Sequence, residues 1–314
     1  MFAALRKRMA SLPTPLAGLA LGLAGLGIAL ECALPLNGLA QNSGILAAAC
    51  LTLLVTLKFL FNPSILLEEF RHPVLCSIMP TYHMTLMLMA KKLCAFSQAA
   101  GEALWVLALI LYIPVTLAFI HYRIKSFDLK QMVPSWFLPF AGILIAGLTF
   151  PTESYRPFAY FMTMFGMFNY GVILVVLLYR LIFLPEVPEA ARPTIAILAA
   201  PASLSLVSYL CVQPEPSLFL CSVLLGVAVL MTALIYLAFA HLLRLPFTPG
   251  MSAYTFPTAI GATALYTLAA YLEKYPDLNG YISQLKFLAG IETVVAVAVI
   301  GYVCLRYAVY YLED

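Results

Sequence analysis

Ten stretches of this chain are apolar enough and long enough to cross a bilayer as helices, and no other feature constrains the fold as tightly. A spanning helix needs about 20 mainly apolar residues. Inside hydrocarbon every backbone N–H and C=O must find its partner within the protein, which leaves helices or closed barrels. Runs at about 14–35, 42–61, 74–96, 103–122, 135–151, 157–183, 193–212, 217–243, 248–272 and 285–311 meet the helical requirement. They predict an all-α membrane protein with ten transmembrane helices in one domain spanning residues 1–314. Composition agrees: 63% of the 314 residues are hydrophobic and 10% charged, against roughly 25% charged in soluble domains. The basic stretch Arg6-Lys7-Arg8 precedes an apolar run too long for a signal-peptide core, so that run is expected to stay in the protein.

An even number of spans puts both termini on one side. Twelve of the 17 Lys and Arg then fall on the side of the termini and five (Lys91, Lys92, Arg156, Lys274, Lys286) on the other. The positive-inside rule predicts cytoplasmic termini in a cell membrane. The seven cysteines are scattered without CxxC or Cys/His spacing and read as small buried hydrophobes.

Prolines recur with the spans. Pro80, Pro139, Pro201 and Pro257 lie in the third, fifth, seventh and ninth, and Pro15 opens the first; successive separations are 65, 59, 62 and 56 residues. The local texts rhyme: Ser-Ile-Met-Pro-Thr, Trp-Phe-Leu-Pro-Phe, Leu-Ala-Ala-Pro-Ala and Tyr-Thr-Phe-Pro-Thr. Among the even spans only the fourth has an interior proline, Pro114. A fixed period of this kind marks a repeat architecture, here five helical hairpins. Several interior prolines would cost on the order of 10 kcal/mol together, tolerable where neighbouring helices or a wet cavity satisfy the freed groups. That places the proline-kinked odd helices inside and the even ones toward lipid, in a quasi-fivefold arrangement around a central pore. A compact bundle in which prolines only shape packing is the alternative.

If Phe256, before Pro257, faces the axis, the repeat puts Met79, Leu138 and Ala200 at the matching positions. Helical spacing adds Gly18, Tyr82 or His83, Ala141, Gly142, Ser203 and Ile260 to the same faces. This lining is small and neutral with one large ring. No carboxylate or guanidinium occupies the middle of an odd span. Such a pore binds ions weakly, and Phe256 would stopper it as a hydrophobic constriction. The sign of the permeant ion does not follow, although basic residues at both mouths lean toward anions. The ordinary alternative for Phe256 is packing, as for most of the 20 phenylalanines. Gly18 and Gly22 read equally as a small-xxx-small packing device.

Several motifs resemble one family. Leu-Pro-Thr-Pro-Leu-Ala-Gly-Leu-Ala-Leu-Gly-Leu (12–23), His72-Pro73-Val74, Leu198-Ala199-Ala200-Pro201-Ala202 and above all Ala253-Tyr254-Thr255-Phe256-Pro257 are similar to the TehA-type tellurite-resistance proteins and plant guard-cell slow anion channels. The likeness covers the ten-span plan nearly end to end and is that of the voltage-dependent anion channel and C4-dicarboxylate transporter family. The resemblance implies a homotrimer with one pore per protomer, five hairpins with odd helices inside, and conduction of small anions. It also implies that Phe256 is the occluding gate and Gly18 the small residue beside it. Two departures stand out: Ala20 occupies a place where related first helices can carry proline, and with barely a dozen residues before the first span, regulation by phosphorylated cytoplasmic tails as in the plant channels is not expected.

Ionisable residues near the spans are few. Glu31 is expected to reach interfacial water, Glu292 to bond a neighbouring helix or protomer, and Lys91 and Lys92 to snorkel to the headgroups, with a share in drawing anions to the mouth. His83 follows Pro80 closely and is read as a core histidine or a pH-sensing pore residue. Three functions compete. A gated anion channel fits the neutral lining. A secondary transporter of C4-dicarboxylates such as malate, of sulfite or of tellurite-related oxyanions would be expected to hold a cationic pair at the midplane, and none lies there. Any tellurite resistance would follow from transport. An enzyme finds no support, since there is no GxxxxGK[ST] loop and the four histidines are dispersed. No cofactor, metal or nucleic-acid partner is expected; the partners are small inorganic or organic anions, the bilayer and further copies of the chain.

Overall fold

The computed structural model describes residues 2–312, and every regular element among them is helical. After α1 (Phe2–Ala10), α2 (Leu16–Ala33) and α3 (Leu39–Phe61) form the first hairpin. A short amphipathic helix, α4 (Pro63–Arg71), which the apolar runs did not reveal, leads into α5 (Pro73–Ile78) and α6 (Pro80–Leu93), and α7 (Gln98–Lys125) returns. The third hairpin rises as a broken helix: a 3-10 turn Pro134–Phe137, α8 (Leu138–Ala141), a second 3-10 turn Gly142–Leu144 and α9 (Ile145–Thr149), then descends as α10 (Arg156–Phe183). A 3-10 stretch Glu189–Ala199 precedes α11 (Ala200–Val212), paired with α12 (Leu218–Leu242). A 3-10 stretch Pro249–Tyr254 precedes α13 (Thr255–Leu272), paired with α14 (Asn279–Leu312).

Eight helices among the described residues are long and apolar enough to cross a membrane by length and composition, against the ten expected. The fifth run is a short broken segment, Pro134–Thr149. The ninth, α13, has 18 residues that include four threonines and two tyrosines. Both are lined by protein, and a segment shielded from lipid has no need of a continuous apolar surface. Burial divides the spans accordingly. Leu16–Ala33, Pro73–Leu93 and Glu189–Val212 are 61%, 72% and 83% buried, whereas the five intervening spans lie between 22% and 39%. Within hairpins α2 packs on α3, α6 on α7, α9 on α10, α11 on α12 and α13 on α14. Among the buried segments α2 touches α6 and α13, α9 touches α6 and α11, and α11 touches α13.

The prolines expected to kink the buried segments stand early in α-helices. Pro80 is the first residue of α6, Pro139 the second of α8, Pro201 the second of α11 and Pro257 the third of α13. Each falls where a lead-in segment gives way to a new α-helix, and the first N–H groups of an α-helix have no intrahelical acceptor to lose. Only Pro114 in α7 stands well inside an α-helix. A second series, Pro15, Pro73, Pro134, Pro188 and Pro249, marks the start or N-cap of the five buried segments.

The repeat extends to side chains at the ends of the outer helices. Lys58 of α3 donates to Thr14 Oγ1 at 2.7 Å, just ahead of α2. Arg123 of α7 donates to the Arg71 carbonyl at 2.8 Å, ahead of α5, and Arg180 of α10 to the Lys130 carbonyl at 2.9 Å, ahead of Pro134. Tyr307 of α14 donates to the Pro249 carbonyl, ahead of α13. All four are buried. Four of the five outer helices are thus fastened to the start of their own inner partner. Lys58 also pairs with buried Glu69 at 2.6 Å, and Thr14 bonds the same carboxylate. Removing one member of a buried pair strands the other's charge and costs roughly 3–5 kcal/mol. Lys58→Met is therefore expected to lower stability by about that amount in denaturant unfolding of the detergent-solubilised protein, and Lys58→Met combined with Glu69→Leu to recover most of it.

Candidate functional site

The five buried segments begin at one end of the molecule around a vestibule of about 610 Å³. Its wall takes Pro13 to Pro15, His72 to Leu75, Lys130 to Val133 without Met132, Pro188 to Thr194 in part, and Thr248 to Gly250. Lys58 and Glu69 also line it. Five helix starts therefore share this mouth. Each aligned helix start carries the equivalent of about half a positive charge, so the vestibule is favourable to anions. The His72 ring caps α5: its Nδ1 accepts from the backbone N–H of Val74 and of Leu75, both at 3.2 Å. That assignment puts the proton of the neutral ring on Nε2. Burial, and then the nearby Arg123 guanidinium, holds His72 below its ordinary 6.5, with Glu69 partly offsetting them.

Beyond the vestibule the space narrows to two small voids. The first, about 30 Å³, meets the vestibule at Ile78 and is lined by Gly18, Leu21, Thr81, Ser252, Ala253 and Pro257 among others. The second, about 20 Å³, is lined by Met84, Phe137, Ala141, Gly142, Pro201 and Leu204 among others. Leu138, Ile197, Ala200 and Phe256 border both. A water needs about 10–15 Å³ measured this way, so neither void admits a hydrated ion. The walls of both voids carry no charged side chain.

Phe256 sits in the first turn of α13 with 5% of its surface exposed. A Cβ on Gly25 would approach its ring at 3.1 Å, so the ring rests on Gly25 of α2. Gly18 borders the first void with the ring, but its missing side chain makes room for Ser252, whose Oγ would stand 2.9 Å from a Cβ there. A Cβ on Gly22 would run into the Thr255 side chain. These three glycines let α13 lie against α2, and Thr255 Oγ1 donates to the Gly18 carbonyl at 3.2 Å.

The residues singled out from the sequence separate into groups. Gly18, Leu138, Ala141, Gly142, Ala200, Phe256, Pro201 and Pro257 line the two voids, and Pro15 the vestibule. Met79 and His83 face away, into a crevice of about 460 Å³ between α3 and α7 that Pro114 also lines. Ser203 and Ile260 are buried in helix packing, and Pro80 and Pro139 border neither void. Sequence reasoning missed Ile78, Thr81, Met84 and Ile197. Counting back one residue from proline finds the void at 138, 200 and 256. At Pro80 it lands one residue off, and one residue turns a helix by about 100°.

At the far end the last carbonyls of the buried helices are met by cations. Lys91 Nζ donates to the Phe150 carbonyl at 3.1 Å, and Arg156 donates to the carbonyls of Cys211 and Val212 at 3.0 and 3.1 Å. Both cations also lie against the Phe150 ring. Lys92 donates to Gln41 Oε1 at 3.2 Å. Glu31 is not turned to open water: its Oε1 accepts from the N–H of Gly38, whose φ of 83° closes the first loop. Among the described residues no three His, Cys, Asp or Glu gather as metal ligands.

Two tests follow from this geometry. Gly22→Ala is expected to cost about 1–3 kcal/mol in unfolding by overpacking, with Gly171→Ala, where nothing lies within 4 Å, as the neutral control. His72 favours its neutral form in the fold, so its capping contribution is full above pH 6.5 and is lost as pH falls through its lowered pKa. A histidine NMR titration is expected to place His72 below 6.5, a shift that unfolding abolishes.

The sequence model of the voltage-dependent anion channel family matches residues 12–308. An uncharacterized transporter of Methanocaldococcus jannaschii is 24% identical over 229 residues, which cover 65% of this chain and 67% of that protein.

Proposed function

Because the chain belongs to the voltage-dependent anion channel family, we propose that it is a gated channel for small monovalent anions whose pore is closed by the Phe256 ring. The observation that carries the reading is the position of that ring, which borders both small voids on a neutral path leading from a vestibule of five helix starts. The closed order of contacts α2–α6–α9–α11–α13–α2 supports a quasi-fivefold ring of inner segments around that path. Burial of the ring against Gly25 and the absence of charge from the voids support a hydrophobic seal. The helix starts supply a preference for anions that the lining residues by themselves lack.

In this reading the chain sits in the cell membrane with both termini cytoplasmic, so the vestibule is the inner mouth. Three copies assemble, each with its own pore. Gly18 serves the gate by admitting Ser252 and with it the close approach of α13, while Gly25 seats the ring. A dicarboxylate or oxyanion carrier would be expected to hold a cation at midplane, and the voids hold none; tellurite resistance, if present, is a consequence of anion movement.

Phe256→Ala is expected to raise anion current in planar bilayers by at least about tenfold, since a dewetted constriction gates by exclusion, while Phe256→Leu stays nearly closed. Unchanged current in Phe256→Ala, or saturable proton-coupled flux in proteoliposomes in place of current, refutes the channel.

A further inference from the structure

Away from the axis, α14 turns Glu292 into the protein. The residue is 3% exposed, and its Oε2 is buried without a hydrogen-bond partner. That oxygen stands where a side chain on Gly261 of α13 would be, so the glycine is what makes room for the carboxyl. Two hydroxyls of α12 approach the same place. Thr232 Oγ1 is 3.7 Å from the Cβ position of Gly261, and Tyr236, one turn further along the same face of α12, has its hydroxyl buried without a partner. Thr263, Thr267 and Thr293 of the neighbouring helices each bond a carbonyl one turn back. Two buried polar atoms without a partner, Glu292 Oε2 and the Tyr236 hydroxyl, thus lie on helices that both pack against α13 in the membrane-spanning layer, with the Thr232 hydroxyl near Gly261; buried polar groups are as a rule bonded.

No cation answers the carboxyl. Of the titratable side chains on the packed elements, Tyr236 lies on α12 one turn from Thr232 and Tyr266 of α13 has its hydroxyl near Gly290, one half-turn from Glu292, while Cys221, His241 and Tyr271 lie toward the ends of their helices. On α14 itself, Lys286 is held by Glu273 at 2.8 Å, and Arg306 lies over the rings of Phe247 and Tyr302. Glu31 of α2 is engaged by Gly38. A bare carboxylate in this layer is costly. A metal cation would need a shell of about six oxygens, and three side chains supply too few. A proton needs no added room. It turns the carboxyl into one donor and one acceptor, which matches two hydroxyls that can each donate and accept.

We propose that Glu292 is a proton-binding site whose occupancy sets how α14 packs on α13, the helix that carries Phe256. Gly261 lies five residues beyond the ring. With the proton bound, the carboxyl, Thr232 and Tyr236 satisfy one another and α13 stays closed on α14. When the proton leaves, the anion has only the glycine backbone and two hydroxyls beside it, and the helices part to admit water. The link to the gate rests on the channel reading; the proton site does not.

The site is tested in the wild-type protein in lipid bilayers by infrared spectroscopy at neutral pH. The expected result is a carboxylic-acid carbonyl band that is absent from Glu292→Gln and displaced in Glu292→Asp, the latter assigning the band if Glu292→Gln does not fold. Absence of any such band from the wild type overturns the site. The link is tested by anion current across a pH series. Wild-type current is expected to change by up to about tenfold, the limit for a one-unit difference in proton affinity between closed and open forms, and Glu292→Gln current to stay flat. The same pH profile in both proteins overturns the link. If Phe256→Ala passes no anion current, the link falls with the channel reading, and the infrared band alone judges the site.

Discussion

A backbone group left unpaired in hydrocarbon has no water to turn to, and that constraint accounts for where the recurrent prolines of the buried segments stand. A residue without an N–H is harmless only where no acceptor awaits one, at the first turn of a helix. Four buried segments meet the requirement by starting a helix twice. Each begins with a short lead-in, 3-10 in three of them, and restarts as an α-helix with proline in its first turn. The break is therefore built from two helix starts, with a change of helical pitch in three of the four segments, and Phe256 stands at one such joint. A helix uniform from end to end would have no reason to place a side chain at that depth with its neighbours stepped aside.

The same starts organise the electrostatics. The five buried segments run parallel, so their positive ends add at the vestibule and their carbonyl ends gather opposite. The outer helices run the other way, which cancels the field in the outer layer and leaves it near the axis. Lys91 and Arg156 bond the exposed carbonyls at the far end, which keeps that mouth from presenting a ring of partial negative charge. An anion then meets favourable ground at both ends and no fixed charge between them to hold it. Lys58 does not spoil this arrangement, because Glu69 and Thr14 absorb its charge beside the vestibule.

Much of this was legible in the sequence, and the rest was hidden for identifiable reasons. Apolar length revealed the outer helices, since lipid demands it of them. It revealed the inner ones less well, because protein neighbours had relaxed the demand: α13 carries threonines and Pro134–Thr149 is broken. The proline period gave the order of the hairpins but not the lead-in segments that precede each proline-bearing α-helix. Leu138, Ala200 and Phe256 border the small voids, whereas Met79 turns to the crevice between α3 and α7, because one residue of rotation swings a side chain by about 100°. Lys58, Arg123, Arg180 and Tyr307 recur at similar spacing, yet their common task showed only once their carbonyl and hydroxyl partners were in view. Gly25 could not be told from Gly18, since both lie on the face of α2 that meets α13.

On the proposed reading as a channel stoppered by Phe256, closing a path and choosing an ion are separate problems with separate locations. The Phe256 ring makes no polar contact; it rests on a glycine and faces small apolar walls. A seal of that kind works by excluding water and holds back cations and anions alike, with a strength set by dispersion and dewetting. Preference for sign must then reside in the mouths, where helix ends and capped carbonyls act through the low-dielectric wall. A residue that alters the ring changes how much passes and little about what passes, and a residue that alters the helix ends does the reverse. Had the stopper been a charged side chain, the two properties would have been bound together, and opening the path would have meant desolvating or neutralising a fixed ion within it.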